Sequence, residues 1–402
     1  MSEDFASRAA LWLDELGAIT DEPGELTRTF LSPAQARAKA LVSVWLQEAG
    51  LEVYEDLAGN LIGRLASSNP TARTLACGSH IDTVRNAGQY DGAVGIVTAA
   101  LAAGALKGQE LPYHLEVVAF SDEEGVRFQS TYLGSKYYAG KLTGAELAVK
   151  DVDGMSVQEA MAAHRPTFPL PPPRELLAYV EAHIEQGPVL EKEELALGVV
   201  TAIAGQTRAK IFIEGKAGHA GTTPMNMRRD ALTGAAECVL TIEQYATAMP
   251  ALVATVGELR IASPASNVIP GSVEFTLDVR DADEEVRRHF CSRIVSELQT
   301  QMGERGLGIR IEILQENPPV NCSSPLTEAL ESLVLRRQET CPRLVSGAGH
   351  DAAALAEVAE VAMLFIRCRD GLSHHPDEYA TSADIGLAAQ ILAEFFSQLQ
   401  PA

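Results

Sequence analysis

Basic residues are scarce in this 402-residue chain: 32 lysines and arginines face 54 aspartates and glutamates, a formal charge of −22 at pH 7. A surface of that sign repels phosphate backbones and anionic lipid heads, which argues against nucleic-acid and membrane partners. Paired cysteines are missing too. The six cysteines, Cys77, Cys238, Cys291, Cys322, Cys341 and Cys368, form no CxxC motif. Neither a thiolate zinc site nor a dense disulfide framework is expected, and a reducing compartment fits. Between Met1 and Leu13 the charged Glu3, Asp4 and Arg8 stand where a secretory leader would place a basic head and an apolar core, so the chain is read as cytoplasmic. No long apolar run occurs. The least polar stretch, Ala93 to Leu106, is interrupted by Gly95 and Gly104 and falls short of the ~20 residues a bilayer span needs. What remains is ordinary globular material, 46% apolar with 32 Gly and 20 Pro. At roughly 100 to 200 residues per domain, the length predicts two domains or one large domain with an insertion.

Helical spacing of apolar residues predicts a helix within Thr27 to Ala49, and Glu52 to Leu65 reads as two short strands joined by Ala58-Gly59-Asn60. Strand patterns at Thr74 to Cys77 and Leu115 to Phe120 flank the small-residue helix Gly92 to Leu106. Alternating strands and helices imply an α/β domain whose mixed, largely parallel sheet is flanked by helices. Five prolines between Arg165 and Arg174 predict a surface loop. From about Ala209 the pattern changes to strand (Lys210 to Ile213), helix (Arg229 to Ala246), strands (Leu252 to Leu259 and Ser272 to Val279), helix (Glu284 to Met302) and strand (Gly308 to Leu314). That order makes a compact α+β unit of two helices on an antiparallel sheet. The expected organisation is a catalytic domain of residues 1–208 and 322–402 interrupted by a small domain of residues 209–321.

The candidate chemistry clusters at strand ends. His80 and Asp82 share one face after a strand, and an aspartate so placed can orient the imidazole from behind. Asp91 opens the Ala/Gly helix, where it could also be a plain helix cap. Glu123 and Glu124 follow the strand ending at Phe120, at the edge where α/β folds place active sites, although a solvated acidic loop would look the same. Glu181, His183 and Glu185 alternate along a further strand, and Ser373-His374-His375-Pro376 lies in a C-terminal loop. His80, Asp91, Glu124, His183 and one C-terminal histidine would hold two divalent ions if Asp91 bridges them, and such nitrogen and oxygen donors suit zinc, manganese or cobalt. Two ions roughly 3.5 to 4 Å apart can activate a water and polarise the bond it attacks. Glu123 would then move the proton. In the small domain, His219 stands among small residues and can donate to a developing oxyanion, while Asn267 and Arg280 offer an amide and a planar cation. Arg280 could equally pair with Asp278 or Asp281.

The ordered motifs GSHIDTV, YDGAVG, FSDEEGVRF, HIEQGPVLE, GHAGTTPM, ASNVIPG, SGAGHDA and GLSHHPDE run through nearly the whole chain. They resemble the M20-type metallohydrolases, and within them the hydantoinase/carbamoylase group of amidohydrolases. The resemblance implies metal ligation by His80, Asp91, Glu124, His183 and, by register, His374 rather than the adjoining His375. It implies Glu123 as general base, His219 polarising the scissile carbonyl, and Gln186, Asn267 and Arg280 holding the substrate. Gly205-Gln206-Thr207-Arg208, followed by GHAGTTPMNMRRDALTGAAE, is more similar to the allantoate amidohydrolases of this group than to its carbamoylases, which adds Arg208 as a second anchor. The implied enzyme carries two divalent ions per subunit, zinc or manganese with cobalt and nickel as substitutes. Its inserted domain serves as a lid and as the contact of a homodimer. The implied reaction is hydrolysis of a ureido C–N bond in a small carboxylate-bearing substrate, first of all allantoate to ureidoglycine, ammonia and carbon dioxide. An N-carbamoyl-L-amino acid is the alternative substrate, ahead of a superfamily peptidase or a non-catalytic metal-binding protein.

Overall fold

The computed structural model describes residues 2–400. These divide into two compact units, one made of the chain up to Thr201 together with Cys322 onward, the other of Ala202–Asn321.

In the larger unit a mixed sheet runs in the order Glu52–Glu55, Leu61–Leu65, His114–Phe120, Thr74–His80, Leu176–Ile184, Glu360–Ile366, Leu197–Ile203. The four strands from His114–Phe120 to Glu360–Ile366 are parallel, and the flanking pairs are antiparallel. Every residue of Thr74–His80 and His114–Phe120 is buried, because helices cover both faces of a parallel sheet. Helix Ala93–Ala105 is built of alanine, glycine and β-branched residues small enough to bury eleven of its positions. Helices Ser2–Gly17 and Ser382–Gln398 pack with it. Trp12 and Trp45 stack at 4.6 Å in this core.

Two elements differ from expectation. The helix expected within Thr27 to Ala49 begins only at Pro33 and ends at Glu48. Pro33 stands at its first position, where a missing N–H costs nothing, and the Ser32 side chain caps it by accepting from Gln35 N. Leu31, just before, adopts a positive φ of 54° that no helix continues. Ser2–Gly17 is a helix where none was expected. Residues 165–174 form neither helix nor strand, as the prolines require.

The smaller unit is an antiparallel sheet ordered Leu259–Ile261, Ser272–Asp281, Gly205–Glu214, Gly308–Asn317, with Val253–Thr255 also paired to Ser272–Asp281. Helices Ala231–Thr247 and Glu284–Glu304 pack on it, and Ile211, Ile213, Phe275, Phe290 and Leu298 lie in the shared core. Ladder pairing starts at Gly205, so Gly205 to Arg208, assigned by sequence to the catalytic domain, belong to this sheet. The single strand expected over Leu252 to Leu259 is two pieces. Between them Glu258 N leaves the main-chain ladder and donates to Thr276 Oγ1 at 3.1 Å.

Candidate active site

Four parallel strands bring their carboxyl ends to one edge of the large sheet, and each delivers a candidate residue there. Thr74–His80 ends on His80; His114–Phe120 leads into Glu123 and Glu124; Leu176–Ile184 carries His183; Glu360–Ile366 leads into the loop of His374. Asp91 arrives from the turn before Ala93–Ala105. Gly92 makes that turn with φ +67°, and a Cβ there would sit 2.5 Å from the His80 ring. Only glycine lets Asp91 and His80 approach in this way.

The three expected histidine ligands converge on the two oxygens of Asp91, and Glu124 joins them through His374. His80 Nε2 and His183 Nε2 lie 3.3 and 3.1 Å from Oδ1, and His374 Nε2 lies 3.3 Å from Oδ2 and 3.4 Å from Glu124 Oε1. The possible donors fall into four overlapping groups, each within 4.8 Å: His80, Asp91 and His183; Asp91, Glu124 and His374; His80, Glu123 and Glu124; and Glu181, His183 and His350; the first two hold the five expected ligands. Asp91 is common to those two. The ring nitrogens are oriented from behind: His80 Nδ1 meets the Asp82 carbonyl at 3.0 Å and His183 Nδ1 the Ile184 carbonyl at 3.0 Å. A carbonyl only accepts, so each Nδ1 carries the proton and Nε2 faces the site. The Asp82 carboxylate takes the backbone N–H of Glu123 at 3.0 Å and of Glu124 at 3.2 Å, which fixes the acidic loop against His80. His375 points elsewhere, with its Nδ1 beside Asp377.

Electrostatically the site is crowded with acids. Burial, reinforced by the Glu124 charge, pushes the Glu123 carboxyl well above the usual range. Burial and Asp91 raise Glu124 to about 7. Burial opposes the charged forms of Asp91 and His80 as well. Hydrogen bonds from His183, His374 and His80 nevertheless hold Asp91 well below its ordinary value, and Asp82 and Asp91 hold His80 well above its own. Three imidazoles and two carboxylates, without a thiolate, fit divalent ions of the zinc or manganese kind. Such cations would stabilise the carboxylate forms that burial now disfavours.

Gln186, expected to touch substrate, donates through Nε2 to Asp91 Oδ2 at 2.7 Å, and its buried Oε1 has no protein partner. In the smaller unit, Asp278 accepts from Arg280 at 2.9 and 3.0 Å, from Arg208 at 3.1 Å and from Gln206 at 2.8 Å. One carboxylate thus organises two guanidiniums and an amide. Val268 pairs with His219 across two short strands, and Ala220 N donates to Asn267 O, so His219 and Asn267 are neighbours. Gly221 N donates to His219 Nδ1 at 3.1 Å, which leaves Nε2–H as the outward donor.

Sequence reasoning missed several residues packed around these groups. Glu378 is 4% exposed and tied to the Asp91 turn. The His350 ring lies 4.5 Å from that of His183, and burial drives it well below its ordinary pKa. A Cβ at Gly349 would overlap the Tyr132 hydroxyl and lie 3.6 Å from Glu123 Oε1, so these groups meet at one glycine. Their signals were the acidic end of GLSHHPDE and the histidine of SGAGHDA, motifs whose individual members the spacing did not assign.

Nitrogen and oxygen donors gathered around one shared carboxylate at the carboxyl edge of a parallel sheet define a metallohydrolase. Residues 76–398 match the peptidase family M20/M25/M40, and the chain belongs to that family. It is 42% identical to the probable allantoate deiminase of Oryza sativa subsp. japonica, spanning 98% of this chain and 89% of that protein. It is 41% identical to the N-carbamoyl-L-amino acid amidohydrolase of Geobacillus stearothermophilus, spanning 97% and 98%. Among solved structures, a hydantoinase/carbamoylase family amidase from Burkholderia multivorans superposes with a TM-score of 0.92 at 34% identity over 97% of both chains.

Proposed function

We propose that this protein is a two-metal amidohydrolase that cleaves a ureido C–N bond of allantoate, with water as co-substrate and ureidoglycine, ammonia and carbon dioxide as products. The observation that carries this is the division of five donors into two sets sharing Asp91, with the buried carboxyl of Glu123 beside them. Two divalent ions, zinc or manganese, would be held by His80, Asp91 and His183 and by Asp91, Glu124 and His374; when bound they acidify a water and polarise the carbonyl it attacks. Glu123 takes the proton from that water and passes it to the leaving nitrogen. His219 Nε2–H stabilises the carbonyl oxygen as it becomes negative. The guanidiniums of Arg280 and Arg208 take the substrate carboxylate and its polar neighbours, and Asn267 adds an amide. The Gln186 acceptor, its amide already oriented by Asp91, takes a ureido N–H. The smaller unit acts as lid and homodimer contact, and the enzyme works in the cytoplasm.

Hydrolysis of an N-carbamoyl-L-amino acid is the second reading, favoured by the Geobacillus relative. Ammonia release from allantoate should exceed that from N-carbamoyl amino acids, because the Arg208 guanidinium, held by Asp278, finds a further substrate group to bind only in the larger substrate. Replacing Arg208 by Ala should narrow the preference by about 1 kcal/mol, the worth of one charge-assisted contact from a half-exposed guanidinium. A clear preference of the unmodified enzyme for N-carbamoyl amino acids would establish the second reading instead.

A further inference from the structure

Glu378 belongs to neither ligand group, yet it closes a ring of hydrogen bonds around the residue that both groups share. Its Oε1 accepts the backbone N–H of Tyr90 at 2.8 Å and of Asp91 at 2.9 Å. Ser373 Oγ stands between Glu378 Oε2 at 2.9 Å and Asp91 Oδ2 at 2.6 Å, and its single proton is shared between the two carboxylates. The main chain and the side chain of Asp91 are therefore tied to the same C-terminal loop at two points. The seat is tight, since a Cβ at Gly88 would overlap the Glu378 side chain.

The two ligand sets depend on this ring unequally. His80 and His183 sit at strand ends, and each has its Nδ1 held by a carbonyl of its own segment. His374 is different: it lies on a loop, its side chain is 51% exposed, and it adopts a positive φ of 57°. Where its imidazole stands relative to Asp91 is set by what fastens the loop, and Ser373, its neighbour, is fastened through Glu378. We propose that Glu378 is a positioning residue that clamps the shared Asp91 to the His374 loop, and so governs the affinity of the ion held by Asp91, Glu124 and His374 far more than that of the ion held by His80, Asp91 and His183. The inference rests on the two-ion reading above and adds a residue to it.

Metal binding tests it without recourse to turnover. Equilibrium dialysis against Mn²⁺ alone counts ions and affinities, and Co²⁺ absorption reports the geometry of each site. In Glu378→Ala the first ion should be retained and the second weakened ~10- to 100-fold, the usual effect of removing a partner that orients a ligand. Glu378→Gln should rescue the second ion, because its amide oxygen still accepts the two N–H groups and its NH₂ can donate to Ser373. A merely structural role would lower the thermal midpoint without separating the two ions. If Glu378→Ala does not fold, Ser373→Ala, which removes the hydroxyl that meets Asp91, Glu378 and Gln186, should weaken the second ion in the same direction. Equal loss of both ions, or second-ion affinity unchanged in both alanine variants, overturns the clamp. A wild-type protein that takes up fewer than two ions overturns the two-ion reading itself, and the clamp with it.

Discussion

Glu123 and Glu124 are adjacent in sequence and separated in role by a few ångströms of environment. Glu124 faces His374, whereas Glu123 lies in the pocket beside Gly349. Replacing Glu123 by Gln should lower kcat by ~100-fold or more while the bound metal, counted by elemental analysis, stays the same. Near-normal turnover in that variant would rule out the proton-transfer role. Gly92 allows a second single-residue test. Gly92→Ala forces a side chain into a left-handed backbone, at roughly 1–2 kcal/mol, and against the His80 ring, so both stability and metal uptake should fall together. A third concerns Glu55, which is buried between Lys39, His164 and the Thr167 N–H. Burial alone would raise its pKa, but hydrogen bonds from His164 and Lys39 lower it from 4.5 to about 2. A carboxylate depressed in this way stabilises the fold above its unfolded pKa and loses that contribution as pH falls from about 4.5 toward about 2. The difference in unfolding free energy between wild type and Glu55→Gln should therefore be constant near neutrality and shrink by roughly 3 kcal/mol through that acid window, as measured by denaturant titration at a series of pH values.

At the scale of elements, the smaller unit depends on how its helices are capped. Asp283 accepts from Glu285 N at 2.8 Å and Val286 N at 3.1 Å at the head of Glu284–Glu304. Asp283→Ala should cost about 1 kcal/mol in thermal unfolding and leave metal content untouched. That helix was visible in the sequence because its apolar positions recur at helical spacing, and so was the strand ending at Phe120; the strand expected to stop at Cys77 runs on to His80, because Gly78, Ser79 and His80 continue the parallel pairing with Val118, Ala119 and Phe120. Ser2–Gly17 was legible in principle, since Phe5, Ala9, Trp12, Leu13 and Leu16 recur at helical spacing and are all buried, whereas the true start of Pro33–Glu48 is marked only by the Ser32 cap and Pro33 while apolar spacing continues upstream. The ligand histidines and carboxylates were legible one by one, since each follows a strand or opens a helix. Glu378 was not: what it does depends on two backbone N–H groups almost three hundred positions away in the chain, and no local pattern encodes that. Arg208 and Arg280 were read as anchors, but that one aspartate holds both could be seen only once Asp278 and Arg208 were paired across strands.

The whole molecule carries its charge of −22 unevenly, with Asp82, Asp91, Asp122, Glu123 and Asp351 all buried in the larger unit. Burial raises Asp122 and Asp351 well above the ordinary carboxylate range. Cations bound as proposed would relieve part of that cost, so stripping them with a chelator should destabilise the fold as well as stop catalysis. For metal present at ~100 times its dissociation constant the loss is about 2.7 kcal/mol per ion. A thermal midpoint indifferent to chelator would count against metal binding in the folded state.

The stacked pair Trp12 and Trp45 contains both tryptophans of the chain, and each lies in the larger unit. Indole emission excited at the red edge of its band is thus a private reporter of that unit, while Tyr245 and the helices around it are silent there. Far-ultraviolet circular dichroism sees both units. Recording the two signals along one denaturant titration separates the melting of the metal-binding unit from that of the smaller one, with no label and no mutation.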